Sequence, residues 1–397
     1  MLVSLTHAVR RKFRSLYQRV LISSILLGVV VFSFSYLSLE FCYKILSSSS
    51  LSHMCNQYKQ NQYSGALCEE LCNGESFKDF KCPHNSMKTI MFTAVKNNDI
   101  YAIKLAKHIT DDLTWRDKNG LTRYPEMLEF QNIIKQYITI TYNVTIEDTV
   151  IHALLTQEID PHNPEQMLSL WRLFKDNNYM MGKLYEEESI FPNILGSCGP
   201  YYATENLDSI QPETGLRHYI TIDWEGRLKF ALMIMEFLHR LDTIKPEPLK
   251  MCKVEPHHFG ITFDKRIKYQ TAQYILSEFQ LERLLTDGSH CEVDSDCVYE
   301  YCLGKCDETR KICTGQQQNN NLQIVCQYIF KGTRLFPGLL STAKAPSSLL
   351  ALLNICIDPS KNEKQHIPNR LYAPTLEIGS KLYNEIKRIH DELTFRA

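Results

Sequence analysis

The sequence predicts an α+β protein with disulfide-rich additions, preceded by one transmembrane helix. Three observations lead to this fold class: a long uncharged apolar segment near the start, many cysteines after it, and alternating strand and helix patterns in the remainder. The chain has 397 residues and a formal net charge of −1. This balance gives no electrostatic reason to expect a nucleic acid partner.

Residues 20–39 carry no charge, and twenty residues form about enough helix to cross a hydrocarbon core of roughly 30 Å. Basic residues precede this segment, so the positive-inside rule predicts a cytoplasmic tail over residues 1–19 and a lumenal remainder. A cleaved signal peptide is the alternative, but the segment is long for one and no small-residue cleavage site follows it. We therefore expect a single-pass type II membrane protein.

Five cysteines fall within residues 291–313, with gaps of five, four, three and six residues. Zinc sites usually show paired Cys-x2-Cys spacing, so this pattern favours disulfides. An oxidising lumen makes disulfides the default for the cysteines that follow the apolar segment. The candidate disulfide cysteines are Cys55, Cys68, Cys72, Cys82, Cys198, Cys252, Cys291, Cys297, Cys302, Cys306, Cys313, Cys326 and Cys356.

Two further segments bear on the lumenal part. Residues 40–54 are predicted to be a lumenal stem, flexible over the serine-rich run Ser47–Ser52. Asn143 begins an Asn-Val-Thr sequon, which faces the correct side of the membrane for glycosylation.

The first half of the lumenal part carries strand and helix patterns in turn. Lys88–Val95 and Ile100–Ala106 are β-branched segments separated by a turn at 96–99, which predicts a hairpin. Helical spacing follows over Pro125–Tyr142 and Glu165–Lys183. Ile194–Glu205 predicts a second short hairpin.

The second half begins with an amphipathic helix over Glu225–Leu241. Short strands are predicted at Phe259–Phe263 and Arg266–Gln270, on either side of a turn at Asp264 and Lys265. A last helix is expected over Thr375–Thr394, with Thr375 as its N-cap. This order of elements is that of protein kinases: strands, a helix, more strands, a long helix, a loop and a short hairpin.

The cysteine motifs add a family resemblance. The run HCEVDSDCVYEYCLGKCDETRKIC at His290–Cys313 is its most specific element, supported by the SGALCEELC, ILGSCG and MCKVEP segments. With these motifs the chain resembles the family with sequence similarity 69, also called divergent protein kinase domain 1, from Cys55 to about Cys356. The resemblance implies an endoplasmic reticulum membrane protein with a bilobal kinase-like fold. Its small lobe and first cysteine-rich segment would span 55–205, and its large lobe 206–397, with a cysteine-rich segment at 291–326.

The kinase positions can then be assigned one by one. Lys104, in Tyr101-Ala102-Ile103-Lys104, is the candidate phosphate-contacting lysine, whereas Gln166 stands where its glutamate partner belongs and cannot form the ion pair. Aligned on Pro256, the MCKVEPHHF segment places Lys253 at the position of the base aspartate. The two metal-ligand positions are aligned with His258 and Thr271. No glycine-rich phosphate loop is present in the sequence of the first strands.

No resident metal is expected. The stretch Leu155–Gln166 lacks the acidic ladder of an EF-hand and is interpreted as a loop leading into a helix. His257 and His258 beside Glu255 suggest a metal site, but adjacent side chains of a strand point to opposite faces. Asp264 is interpreted as a solvated turn residue.

The function that follows is that of a pseudokinase, a binding or regulatory scaffold with an unidentified lumenal protein partner and no confident cofactor. The alternative is an active divergent kinase that uses ATP with Mg²⁺ or Mn²⁺ to phosphorylate secretory proteins or glycans. A third interpretation is a structural membrane protein whose kinase resemblance is only inherited. The cysteine run lies where active kinases have a mobile activation segment, so we expect disulfides to hold that segment in place.

Overall fold

The computed structural model describes residues 48–81, 90–106, 113–160, 163–209, 222–286, 288–332, 337–359 and 376–395. The predicted tail at 1–19, the anchor at 20–39, Cys82 and Thr375 lie outside the described residues. Within these ranges, none of the helices combines the length and the hydropathy that a bilayer crossing requires.

A five-stranded antiparallel sheet has the strand order β1-β2-β3-β7-β6. The hairpin β2–β3 confirms the first predicted hairpin, and β6–β7 confirms the second. The strands, in chain order, are β1 Lys78–Lys81, β2 Ile90–Lys96, β3 Asp99–Leu105, β4 Trp115–Arg116, β5 Thr122–Arg123, β6 Ile194–Cys198, β7 Tyr201–Glu205, β8 Asp208–Ser209, β9 Leu249–Met251, β10 Phe259–Ile261, β11 Ile267–Tyr269, β12 Ile275–Ser277, β13 Val298–Tyr299, β14 Cys302–Leu303, β15 Lys305–Asp307 and β16 Ile312–Thr314.

The helices connect and cover these strands. In chain order they are α1 Ser48–Lys59, α2 Cys68–Cys72, α3 Met127–Tyr142, α4 Asp148–Glu158, α5 Pro164–Lys175, α6 Asn177–Leu184, α7 Trp224–Thr243, α8 Glu278–Leu285, α9 Asn321–Val325, α10 Ser347–Ile357 and α11 Leu376–Thr394. The helices predicted near α3, α7 and α11 are confirmed, with ends that differ by one or two residues.

Helix α1 occupies part of the segment that we expected to be a flexible stem. That expectation is wrong for residues 48–52, which are helical. The ordering comes from tertiary contacts, because Met54 is fully buried and Cys55 is disulfide-bonded to Cys72 in α2. Together α1 and α2 pack on one face of the five-stranded sheet, in a core that includes Phe92 and Ile103.

The helix predicted over Glu165–Lys183 is in fact two helices, α5 and α6, divided at Asp176. The Asn163 side chain accepts hydrogen bonds from the first turn of α5, which also begins with Pro164. Asp176 has extended backbone geometry, and its carboxylate accepts a hydrogen bond from the backbone N–H of Tyr179. The break follows from this new N-cap, since Asp favours capping positions over helix interiors.

Helix α7 is the centre of the second half. Its apolar face, as predicted from the sequence, is buried and carries Leu228, Ala231, Ile234, Phe237, Leu238 and Leu241. The Phe237 ring lies 5.9 Å from Phe259 on β10 and 6.2 Å from Tyr269 on β11. Aromatic pairs at these separations stabilise beyond their buried area. The hairpin β10–β11 is thereby held against α7, and this contact positions the residues before and after it.

Six disulfides join cysteines of the described residues, which confirms disulfides over zinc ligation for the cysteine run. The four cysteines of the two disulfides within the run are buried together in a small separate cluster. A third bond ties the run to the loop that follows β9. The pairs are Cys55–Cys72, Cys68–Cys198, Cys252–Cys302, Cys291–Cys306, Cys297–Cys313 and Cys326–Cys356.

Candidate functional site

Lys104 lies on the central strand β3 and pairs in register with Tyr202 on β7. Its side chain is buried, at 4 % exposure. Burial lowers the pKa of Lys104 to about 8, and the negative charge of Asp176 opposes this shift. Desolvation therefore outweighs the attraction of the carboxylate at this position.

The Asp176 carboxylate acts electrostatically on Lys104, whereas the Gln166 side chain is engaged elsewhere. The Gln166 side chain turns to the N-terminal segment, where its Nε2 donates to the Asn61 carbonyl at 3.1 Å and its Oε1 accepts from the Asp160 amide at 2.7 Å. Asp176 accepts from the Tyr202 hydroxyl at 3.1 Å. Burial raises the pKa of Asp176, although its hydrogen bonds and Lys104 work in the opposite direction.

The helix predicted over Glu165–Lys183 runs through Asp176, so its periodicity gives no reason to single out this residue. The available signal was the Asp-Asn-Asn triplet at 176–178, three residues that favour helix N-caps inside an otherwise helical pattern. The helix break turns the carboxylate towards β7 of the sheet, where it accepts a hydrogen bond from the Tyr202 hydroxyl.

We expect substitution of Lys104 by methionine to remove a pH dependence of stability. The unfolded pKa of about 10.5 exceeds the folded pKa of about 8, so the unfolded chain binds more protons between these values and stability rises with pH there. From about pH 7.5 to about pH 9.5 the native protein should gain about 2 kcal/mol from this group. Denaturant unfolding at both pH values measures the gain, with Lys229→Met, at an exposed site on α7, as control. Equal pH dependence in all three proteins would contradict the prediction.

Lys253 occupies the position aligned with the catalytic base. Its ammonium lies 3.5 Å from a Glu300 carboxylate oxygen and 4.8 Å from the centre of the Tyr274 ring. Burial by itself would lower the pKa of Lys253, but Tyr274, Glu300 and Glu255 together raise it. A protonated lysine has only donors and cannot accept the proton of a hydroxyl group.

His258 occupies one of the two aligned metal-ligand positions and is buried. Its Nδ1 lies 2.8 Å from the Tyr269 hydroxyl, which donates to the Lys253 carbonyl at 2.6 Å. Burial lowers the pKa of His258 to about 3, and His257 and Lys253 contribute to the shift. The ring is therefore neutral at physiological pH, and it packs 5.3 Å from Tyr269.

Thr271 occupies the other aligned metal-ligand position, and α6 holds it in place. Its hydroxyl donates to the Asn178 side-chain oxygen at 3.1 Å, and the same oxygen accepts from the Ala272 amide at 2.7 Å. The Asn177 side chain donates to the Ala272 carbonyl at 2.7 Å. Asp264 remains in the hairpin turn, as expected, and binds Thr262 and Arg266.

Two groups of side chains within the described residues have a spacing suited to a metal ion. The first, Cys291, Cys297 and Cys306, is committed to disulfides. The second joins Glu255, His257 and His258, whose ligand atoms lie within 4.8 Å of one another. The two histidines were expected on a strand with opposed side chains, and this is wrong: they belong to a 3₁₀ turn, Pro256–His258, and their ring centres are 4.5 Å apart.

Asn143, the sequon residue, caps the C-terminus of α3 in the left-handed conformation, with φ of 55°. The residue is exposed, and its backbone N–H is bonded within the helix to Thr139. Asparagine tolerates this conformation better than most residues, which accounts for its position in the fold. Its side chain is accessible for modification.

Comparison with protein families gives two matches along the chain. Residues 8–157 match a family model described as the N-terminal cysteine-rich ER segment of FAM69. Residues 170–359 match a model described as the protein-kinase domain of FAM69. Together the two matches include the cysteine-rich N-terminal segment, the five-stranded sheet, helix α7 and the disulfide-bonded cysteine run at 291–313. The chain belongs to the FAM69 family, with a kinase-like domain behind a cysteine-rich N-terminal segment.

Proposed function

We propose that this chain is a pseudokinase, a binding or regulatory scaffold of the secretory pathway that does not transfer phosphate. The observation that carries the proposal is the state of the three aligned catalytic positions. Lys253 is paired with Glu300, His258 is buried against Tyr269, and Thr271 is bonded to Asn178. None of the three presents an ionised carboxylate, and each side chain is already engaged in another contact.

The chemistry explains why these replacements matter. Phosphoryl transfer depends on positioning and on neutralising the charge of the phosphates, and Mg²⁺ prefers oxygen ligands for that purpose. Removing both metal ligands and the base leaves Lys104 as the one assigned phosphate contact. Electrostatic stabilisation of that kind accounts for several orders of magnitude in rate.

Nucleotide binding by the purified full-length protein tests the proposal. We expect no shift of the melting temperature with ATP and Mg²⁺ or Mn²⁺, and no transfer of labelled phosphate. A metal-dependent shift that Lys104→Ala abolishes, together with phosphate transfer, would refute the pseudokinase. Lys229→Ala, at an exposed position on α7, is the matched control for loss of a lysine.

A second candidate, an active divergent kinase for secretory proteins or glycans, is supported by one observation. Lys104 is buried and its charged form is favoured by the Asp176 carboxylate, as a glutamate favours the charged phosphate-contacting lysine of active kinases. If this pair binds ATP, phosphate transfer should be lost in both Lys104→Ala and Asp176→Asn. Loss in only one of these variants would point to a structural effect.

The proposed location is the endoplasmic reticulum membrane, with a single span at 20–39 and the C-terminal domain in the lumen. It is supported by the ER description of the matching family, by six disulfides and by the exposed Asn143. We expect one glycan, sensitive to endoglycosidase H and absent from Asn143→Gln. An unglycosylated native chain in secretory cells would contradict lumenal exposure of Asn143.

A further inference from the structure

The turn that follows the Lys253 position groups three metal-ligating side chains. Pro256 begins a 3₁₀ turn with Glu255 as its N-cap, and the turn ends at His258, immediately before β10. Because a 3₁₀ turn does not alternate its side chains as a strand does, the His257 and His258 rings lie side by side. Glu255 joins them from the residue before the turn.

The donor atoms have a spacing suited to one small cation. Glu255 Oε2 is 3.4 Å from His257 Nδ1, close to the edge of a tetrahedron with metal–ligand bonds of about 2.0–2.1 Å. All three donors lie within 4.8 Å of one another. The Glu255 and His257 side chains are 41 % and 24 % exposed, so solvent reaches both of them.

The surrounding contacts orient His258 as a ligand. Nδ1 of His258 accepts a hydrogen bond from the Glu255 backbone N–H at 3.3 Å and lies 2.8 Å from the Tyr269 hydroxyl, which donates to the Lys253 carbonyl at 2.6 Å. Ligation through Nε2 requires the tautomer with its hydrogen on Nδ1, which then donates to the Tyr269 oxygen. Nε2 then keeps its lone pair, and a second hydrogen-bond partner on the other ring nitrogen is the usual support of a metal-bound histidine.

Two neighbours complete the setting. Gln270 donates to the His257 carbonyl at 3.1 Å and to the Phe259 carbonyl at 3.3 Å, which ties the backbone of the turn to β11. Lys253, whose positive charge contributes to the lowered pKa of His258, forms an ion pair with Glu300 at 3.5 Å. The Glu255 carboxylate therefore supplies a negative charge where a divalent ion would sit.

We propose that Glu255, His257 and His258 form a binding site for a borderline divalent cation of the Zn²⁺ class. Two imidazoles and a carboxylate suit Zn²⁺, with water as a fourth ligand, whereas Mg²⁺ and Ca²⁺ prefer oxygen donors. The site lies at the turn whose His258 is aligned with a kinase metal ligand.

The test is a Zn²⁺ titration of the full-length protein, purified with a histidine-free tag, against a fluorescent chelator in excess Mg²⁺. We expect one tightly bound Zn²⁺ per chain. His257→Ala and Glu255→Gln should each weaken binding by at least about tenfold, as removing a ligand exceeds the typical loss from outer contacts. His239→Ala, an exposed histidine on α7, should leave binding unchanged.

Two further measurements keep the result interpretable. Equal melting temperatures of the variants and the native protein in chelator show that folding is intact. X-ray absorption at the zinc edge should show nitrogen and oxygen neighbours without sulfur. The proposal is overturned if no Zn²⁺ binds, if both substitutions leave binding intact, or if sulfur ligates the ion. None of these outcomes depends on nucleotide, so the pseudokinase proposal stands or fails separately.

Discussion

Replacing Cys68 and Cys198 together by alanine should lower the free energy of unfolding by about 5 kcal/mol. Their disulfide joins α2 to β6 across a sequence separation of 130 residues, and both cysteines are buried. A crosslink that closes a long loop removes more entropy from the unfolded chain than one that closes a short loop. The bond also links α2 of the cysteine-rich segment to the five-stranded sheet on which it packs. Non-reducing denaturant unfolding gives the size of the loss.

The Cys55–Cys72 bond is the matched control, because it lies in the same segment and closes a separation of only 17 residues. Its double alanine variant should lose about 3 kcal/mol by the same loop argument. If the short-loop variant is destabilised as much as the long-loop variant, loop closure does not explain the contribution of these bonds.

Changing Glu205 to glutamine should destabilise the fold by about 3 kcal/mol, since it leaves a buried charge without its partner. Lys268 on β11 has a side chain that is only 3 % exposed and forms an ion pair with Glu205 at the end of β7. The lysine also donates to the Asn193 side chain at 2.8 Å. This ion pair connects the five-stranded sheet, through Glu205, with the hairpin β10–β11, through Lys268. Chemical denaturation near neutral pH measures the loss.

The double variant Glu205→Gln with Lys268→Met should recover a large part of that loss, because replacing both members of a buried pair is often near neutral. Glu392→Gln, which breaks a half-exposed pair with Arg388 on α11, is the surface control and should cost at most about 1 kcal/mol. A double variant no more stable than Glu205→Gln would show that Lys268 does not carry the penalty.

Local patterns accounted for the elements that position the candidate site. The strands β2 and β3, the apolar face of α7 and the hairpin β10–β11 all follow from side-chain periodicity within a few residues. Lys253 and His258 were aligned with kinase positions from the spacing around Pro256, and Thr271 from its place after the second strand of the predicted hairpin. Phosphoryl transfer needs a carboxylate near the acceptor hydroxyl and oxygen ligands for the metal. The residue types assigned to these positions were therefore a reason to question catalysis.

Other parts of the site depend on contacts that sequence patterns do not contain. The Asp176 carboxylate acts electrostatically on Lys104 only because α5 ends before it and α6 begins after it. The two histidines converge because Pro256 begins a 3₁₀ turn where a strand was expected. In both cases a single bend of the backbone decides where a side chain points. The periodicity of apolar residues over a helix or strand does not reveal such a bend.

The amino-acid sequence by itself determined the family, the kinase order of elements and the disulfide chemistry. These depend on residue identity and on short-range spacing. The tertiary structure decided which cysteines pair, which acid accompanies Lys104 and what surrounds each replaced catalytic position. Those outcomes arise between residues up to 130 positions apart, as in Cys68–Cys198. Only packing brings such residues together, because contact energies depend on distance in space and not along the chain.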